Sequence, residues 1–224
     1  MPNRKIRSFS RSVLDYFACD VILYCKYRVS IAVSSIRIMY QRLCPETSLL
    51  VIIDVQERLL PAILQQQQII FNVRRLLEAA SVLGVPVVVS EQYPQGLGGT
   101  VKELLPFIPA DTVVLPKKSF SIYDDESIRT EIENHSRSQI ILCGVEAHVC
   151  VQQSAFDLLG SGKEVHIVVD AIGSRFAENR DIALRRFESS GMVLTSTESL
   201  LFEWCRSAEH PQFKMFSRLA KETQ

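Results

Sequence analysis

The chain has 224 residues, of which 47% are hydrophobic and 22% charged, and its 25 Lys/Arg balance its 25 Asp/Glu. That length fits one ordinary domain plus an appendage, and the composition is globular. Residues 1–44 hold eight basic and two acidic side chains, leaving 17 basic and 23 acidic beyond them, a net of −6 that gives no electrostatic reason to expect nucleic acid.

The first 44 residues read apart from the rest. RKIRSFSRS is basic and serine-bearing, as mitochondrial presequences are, whereas Asp15 and Asp20 fit that pattern poorly. A cleavable targeting segment and an incidental extension both remain open for residues 1–45, and Pro45 is a natural break. Asp15, Asp20, Lys26, Arg28 and Arg37 interrupt the apolar stretch that follows, so no membrane span is expected. The six cysteines show no CxxC spacing and read as free thiols of a reducing compartment. The chain is accordingly expected in the cytoplasm, or in the mitochondrion if the extension is a presequence.

Beyond Pro45 the sequence alternates strands and helices. Leu49–Ile53 is an unbroken apolar run, suited to a strand buried on both faces. Ile69, Val73, Leu76, Leu77 and Ala80 recur at helical spacing, predicting a helix over 66–83 closed by Gly84. Further strands are predicted at 85–89, 112–115, 140–143, 165–169 and 192–194. Helices are expected near 125–135, 149–159, 179–189 and 197–206. Such repeats imply right-handed crossovers and a three-layer α/β/α, Rossmann-like sandwich with a mostly parallel six-stranded sheet.

In parallel sheets the site lies beyond the carboxyl ends of the strands. The residues placed there are Asp54, the segment Ser90–Tyr93, Lys117 and Lys118, the segment Gly144–Cys150, and Asp170. Asp54 can cap a helix or act as a general base. The paired lysines are either solvated or turned into the crevice. Cys150 follows a strand-ending turn and is expected in the first turn of a helix, where the dipole favours its thiolate; a buried apolar thiol is the equal alternative. Cys143 lies inside the apolar run and reads as core. GSGKE at 160–164 lacks the spacing of a phosphate loop, GLGG at 96–99 lacks that of a dinucleotide loop, and the four histidines form no ligand pair.

An acid, a base and a thiol following different strands at one sheet edge change those odds. LLVIIDVQ, KKSFS and CGVEAHVCV resemble the isochorismatase-like (cysteine hydrolase) superfamily. SEQYPQGLG, VHIVVDAIGSR, STESLLFE and HPQFK resemble its isochorismatase domain-containing protein 2 branch. The resemblance implies a hydrolase domain over 46–215 followed by a tail over 216–224. It implies Cys150 as nucleophile, Asp54 as general base, and Lys117, three residues before Phe120, as the lysine that steadies the thiolate. It further implies a non-proline cis peptide between Val145 and Glu146, and an oxyanion hole formed by the N–H groups of Glu146 and Cys150. Gln92, Tyr93 and Phe120 are expected in the pocket wall from loop position alone.

Nicotinamidases of the superfamily bind a metal through an aspartate and two histidines after the second strand. This chain has SEQYPQGLGG there, so no metal or other cofactor is expected. A thiol nucleophile points to attack on an electrophilic carbon, such as an amide carbonyl, rather than to vinyl ether cleavage. The expected partners are a small-molecule substrate and, as the family implies, further copies of the chain, with neither nucleic acid nor membrane. A non-catalytic interaction or metabolite-binding protein retaining the fold is the rival reading.

Overall fold

A computed structural model describes residues 42–223. The basic segment read above as a possible targeting sequence lies, but for its last residues, outside the described residues. The apolar run of the first strand folds as β1 (Ser48–Ile53), buried along its whole length. The helical repeat becomes α1 (Gln66–Leu83), ended by Gly84 at φ +65°, whose N–H returns to the carbonyls of Ala80 and Ser81.

Next come β2 (Val87–Gln92), the short α2 (Pro94–Leu97), β3 (Val114–Lys117), α3 (Glu126–Asn134) and β4 (Gln139–Val145). A π-helical turn over Ala147–Val151 leads into α4 (Gln152–Gly160). The chain finishes with β5 (Glu164–Gly173), α5 (Ala177–Ser189), β6 (Val193–Thr195), α6 (Thr197–Cys205) and α7 (Phe213–Lys221). Asp125 caps α3, accepting from the N–H groups of Ser127 and Ile128.

The six strands are parallel throughout, in the order β3-β2-β1-β4-β5-β6. Alternate residues of the buried strands face opposite layers. Leu50, Ile52, Val89 and Ile141 pack with α1, α6 and α7, while Leu49, Val51, Val88 and Leu142 pack with α3, α4 and α5. The strand order reverses direction between β1 and β4, and this is where an open α/β sheet leaves a crevice at its carboxyl edge.

Several boundaries differ from the sequence expectation. β2 begins at Val87 because Pro86 has no N–H to give the ladder, and it runs on to Gln92, which pairs with Lys117. β3 accordingly ends at Lys117, two residues later than expected. β5 extends through Asp170, which is thus inside a strand rather than after one. Its carboxylate accepts from the N–H and hydroxyl of Thr197 at 2.8 and 2.9 Å, holding the start of α6. Residues 216–224, expected as a tail, hold most of α7. Phe216 and Leu219 are fully buried in the core, a burial that contributes about 1.5–3 kcal/mol each. Leu43 is buried in the same core, so the domain also begins before Pro45.

Candidate active site

The carboxyl ends of β1, β3 and β4 meet at the crevice. Asp54 follows β1 directly with φ +56°, a left-handed conformation that aspartate tolerates better than most residues. Its side chain is fully buried and both oxygens are engaged: Oδ1 accepts from Ser90 Oγ at 2.8 Å and Oδ2 from Lys117 Nζ at 2.7 Å. Lys117 is the last residue of β3, and its side chain is likewise fully buried. Besides Asp54 its ammonium reaches Gln92 Oε1 at 2.6 Å and the carbonyls of Phe120 and Ser119 at 3.2 and 3.3 Å. Lys118, the residue after β3, is exposed.

β1 and β4 run close together beside the site. Gly144 sits at φ +120°, and a β-carbon there would collide with the Ile53 carbonyl. Past Gly144 the chain turns at Glu146 and enters the π-helical turn that carries Cys150. Cys150 therefore precedes α4 rather than lying in its first α-helical turn. Its carbonyl is fixed by Ser154 Oγ at 2.6 Å, and Ser154 Oγ in turn accepts from the N–H of Ile122 at 3.0 Å.

The charged groups that act on the Cys150 thiol are Asp54 and Lys117. The thiol is 5% exposed. Burial and the Asp54 charge push it up to about 12, with Lys117 pulling the other way. Of the two readings of this thiol given above, burial and the Asp54 charge favour the neutral buried one, with only Lys117 favouring the thiolate. Burial also pushes the Asp54 carboxyl up, against the pull of Lys117 and Ser90. The arrangement is thus a neutral thiol beside a carboxylate of raised basicity, itself held by an ammonium.

No cis peptide occurs among the described residues, so the Val145–Glu146 bond is trans. A non-proline cis bond costs about 3–4 kcal/mol, and here the positive φ of Gly144 redirects the chain instead. The Glu146 N–H meets no acceptor among the described residues. The Glu146 carbonyl takes the N–H groups of Val149 and Val151 at 3.0 and 3.3 Å, and that of Cys150, between them, is not among its donors. The Glu146 side chain is occupied elsewhere: it accepts from Arg175 Nε at 2.5 Å and from the Arg175 N–H at 3.3 Å. His148 stands 3.4 Å from the same carboxylate and 3.0 Å from Ser174 Oγ.

Of the residues expected in the pocket wall, Gln92 is engaged with Lys117, while Tyr93 and Phe120 are exposed. Tyr93 lines a cleft of about 390 Å³ together with Pro94, Lys117, Lys118 and Asp124. A larger cavity of about 540 Å³, lined by Gly84, Pro86, Asp111 and Arg137, lies at the amino end of β2 and holds no candidate residue. Among the described residues no group of three or more His, Cys, Asp or Glu is placed to hold a metal ion, and no helix is long and apolar enough to cross a membrane.

Residues 48–199 match the family described as "Isochorismatase domain". Isochorismatase domain-containing protein 1 of Danio rerio is 44% identical over 179 residues, covering 80% of this chain and 62% of its own. The chain therefore spans less than two thirds of that relative. Isochorismatase domain-containing protein 2A of Mus musculus is 40% identical over 183 residues, covering 81% and 86%. Among solved structures, one described as MAR1 ribonuclease from Caenorhabditis elegans superposes with a TM-score of 0.78 at 36% identity, covering 82% of this chain and 94% of its own.

Proposed function

This chain belongs to the isochorismatase domain family, and on that premise we propose that it is a cysteine hydrolase that opens a C–N bond, such as an amide, in a small molecule. One observation carries this reading. Asp54, its carboxylate held between Ser90 Oγ and Lys117 Nζ, faces the thiol of Cys150 at the point where the sheet order reverses.

In the proposed reaction Cys150 Sγ attacks the carbonyl carbon while its proton passes to Asp54. This is activation by an adjacent base, which suits a thiol whose own titration is pushed up. The C–S bond forms, and the carbonyl π pair moves onto oxygen. That oxyanion is received by the N–H of Glu146, which has no acceptor among the described residues, and by the N–H of Cys150. When the tetrahedral species collapses, the C–N bond breaks and the leaving nitrogen takes the proton from Asp54, leaving a thioester. Asp54 then accepts a proton from water as its oxygen attacks the thioester carbon, and the acid leaves as the proton returns to sulfur. Lys117 keeps Asp54 ionised between the two halves.

Tyr93 and Phe120, exposed beside the crevice, would contact the substrate. Self-association is part of the proposal, supported by the exposed Leu64, whose N–H donates to the Ser174 carbonyl, and by the exposed Phe176 two residues on from Ser174. The ribonuclease description belongs to the worm protein. The net −6 of residues 45–224 gives this chain no electrostatic footprint for RNA. The rival reading, a binding protein that keeps the fold without turnover, is favoured by the 5% exposure of Cys150. A screen of small amides decides between them: turnover lost in Cys150→Ala supports the hydrolase. Absence of turnover, with Cys150 inert to small electrophiles, would favour the binding protein.

A further inference from the structure

Gln92 belongs to no expected catalytic set, yet its side chain is committed at both ends. Oε1 accepts from Lys117 Nζ at 2.6 Å, shorter than the Lys117–Asp54 bond, and Nε2 donates to the carbonyl of Lys118 at 2.9 Å. An ammonium has three protons. Around Lys117 four acceptors compete for them, Asp54 and Gln92 at the shortest distances and the carbonyls of Ser119 and Phe120 farther off. Gln92 is thus one of the two close acceptors of the ammonium, the other being Asp54.

The backbone of Gln92 is fixed in its turn by Gln56, two residues after Asp54. Gln56 is fully buried and all its side-chain hydrogen bonds go to this loop. Its Oε1 accepts from the Gln92 N–H at 2.7 Å, and Nε2 donates to the carbonyls of Gln92 at 3.0 Å and Gly98 at 2.7 Å. The N–H groups of Glu57 and Arg58 tie the same loop through Gly99 and Leu97.

We infer that Gln92 is a positioning residue that orients the Lys117 ammonium toward Asp54, and that Gln56 acts through it. The inference deepens the proposed chemistry and rests on it. The choice of an amide rather than a carboxylate at position 92 has a physical consequence. Lys117 neutralises one carboxylate, Asp54, and no second. The other charged groups nearby are spoken for or exposed: Glu91 accepts from the N–H and hydroxyl of Thr100, Glu146 pairs with Arg175 and His148, and Lys118 faces solvent. A carboxylate at 92 would compete for the ammonium and add negative charge where sulfur must lose a proton.

The test is the rate of iodoacetamide labelling at Cys150, resolved by mass spectrometry at pH 8, which needs no substrate. Gln92→Glu is expected to slow labelling at least tenfold, and Gln92→Ala and Gln56→Ala severalfold, with thermal unfolding checking that each variant is folded. In a Lys117→Met background, Gln92→Ala should add less than twofold, because residues acting through one another are not additive. Labelling unchanged within twofold by both Gln92 variants, or fully additive losses with Lys117→Met, would overturn the inference. Failure of the hydrolase reading is distinguishable, since there Lys117→Met itself would leave labelling unchanged.

Discussion

The interior of β4 and the turn that follows it each bury a cysteine, seven residues apart. Cys143 is enclosed by the apolar layer of the sheet, where desolvation pushes its thiol far up; its Sγ lies 3.6 Å from the Val51 carbonyl. Cys150 is pushed up as well, to about 12, again chiefly by burial. The two thiols therefore do not differ in which one is a standing thiolate. They differ in their surroundings: Cys143 feels the charge of Asp170 alone, whereas Cys150 lies beside Asp54 and Lys117, and that carboxylate, the proposed acceptor of its proton, is kept in place by an ammonium and a hydroxyl. On the proposed mechanism the neighbouring base makes Cys150 reactive, and burial keeps it quiet until a substrate arrives.

The comparison can be broken most severely by removing the Cys150 thiol. Cys150→Ala should abolish turnover of any amide substrate and all rapid labelling, as followed by product formation and mass spectrometry. Asp54→Asn keeps the shape and removes the base; a fall of about a hundredfold or more in turnover is expected, the usual reach of general base catalysis. Lys117→Met leaves the Asp54 carboxylate buried without its ion. It should destabilise the domain by about 3–5 kcal/mol in denaturant titration and slow Cys150 labelling at least tenfold.

Cys143→Ala sharpens the contrast from the other side, with turnover within twofold of wild type and a stability loss of about 1 kcal/mol, as for other small cavities in a core. The smallest effect is expected from His166, a buried ring in β5 whose protonation burial opposes. The unfolded chain takes up the proton near its ordinary value of about 6.5, and the folded chain only below that. Stability should therefore decline as pH falls below that value toward the lowered folded one. His166→Gln should flatten that decline in denaturant titrations, with Cys150 labelling untouched.

Much of this was legible in the residues. The apolar run before Asp54, the helical spacing through Ala80 and the glycine at 84 indicate their elements directly, because burial on both faces and a left-handed cap each leave a compositional mark. The positions of Asp54, Lys117 and Cys150 at strand ends follow from the same pattern. What was not legible depends on direction and distance. Glu91 and Gln92 are polar and read as loop, yet they extend β2, and nothing in sequence indicates that Gln92 turns inward to Lys117. Ser90 and the Glu146–Arg175 pair likewise carry no local signal. Phe216 and Leu219, three residues apart, were a visible sign of the terminal helix that a reading of the chain end as tail passed over. The two readings of the Cys150 thiol stayed level because a helix dipole can be read from position, whereas burial cannot.

The most direct test of the central claim, that Asp54 serves Cys150 as its base, is the pH profile of iodoacetamide labelling at Cys150 and Cys143 in wild type and Asp54→Asn. The account predicts that Cys150 labels at least a hundredfold faster than Cys143, with a rate that levels off well below pH 12 in wild type and climbs steadily with pH in the variant. Labelling of Cys150 no faster than that of Cys143, or the same profile with and without the Asp54 carboxylate, would contradict it.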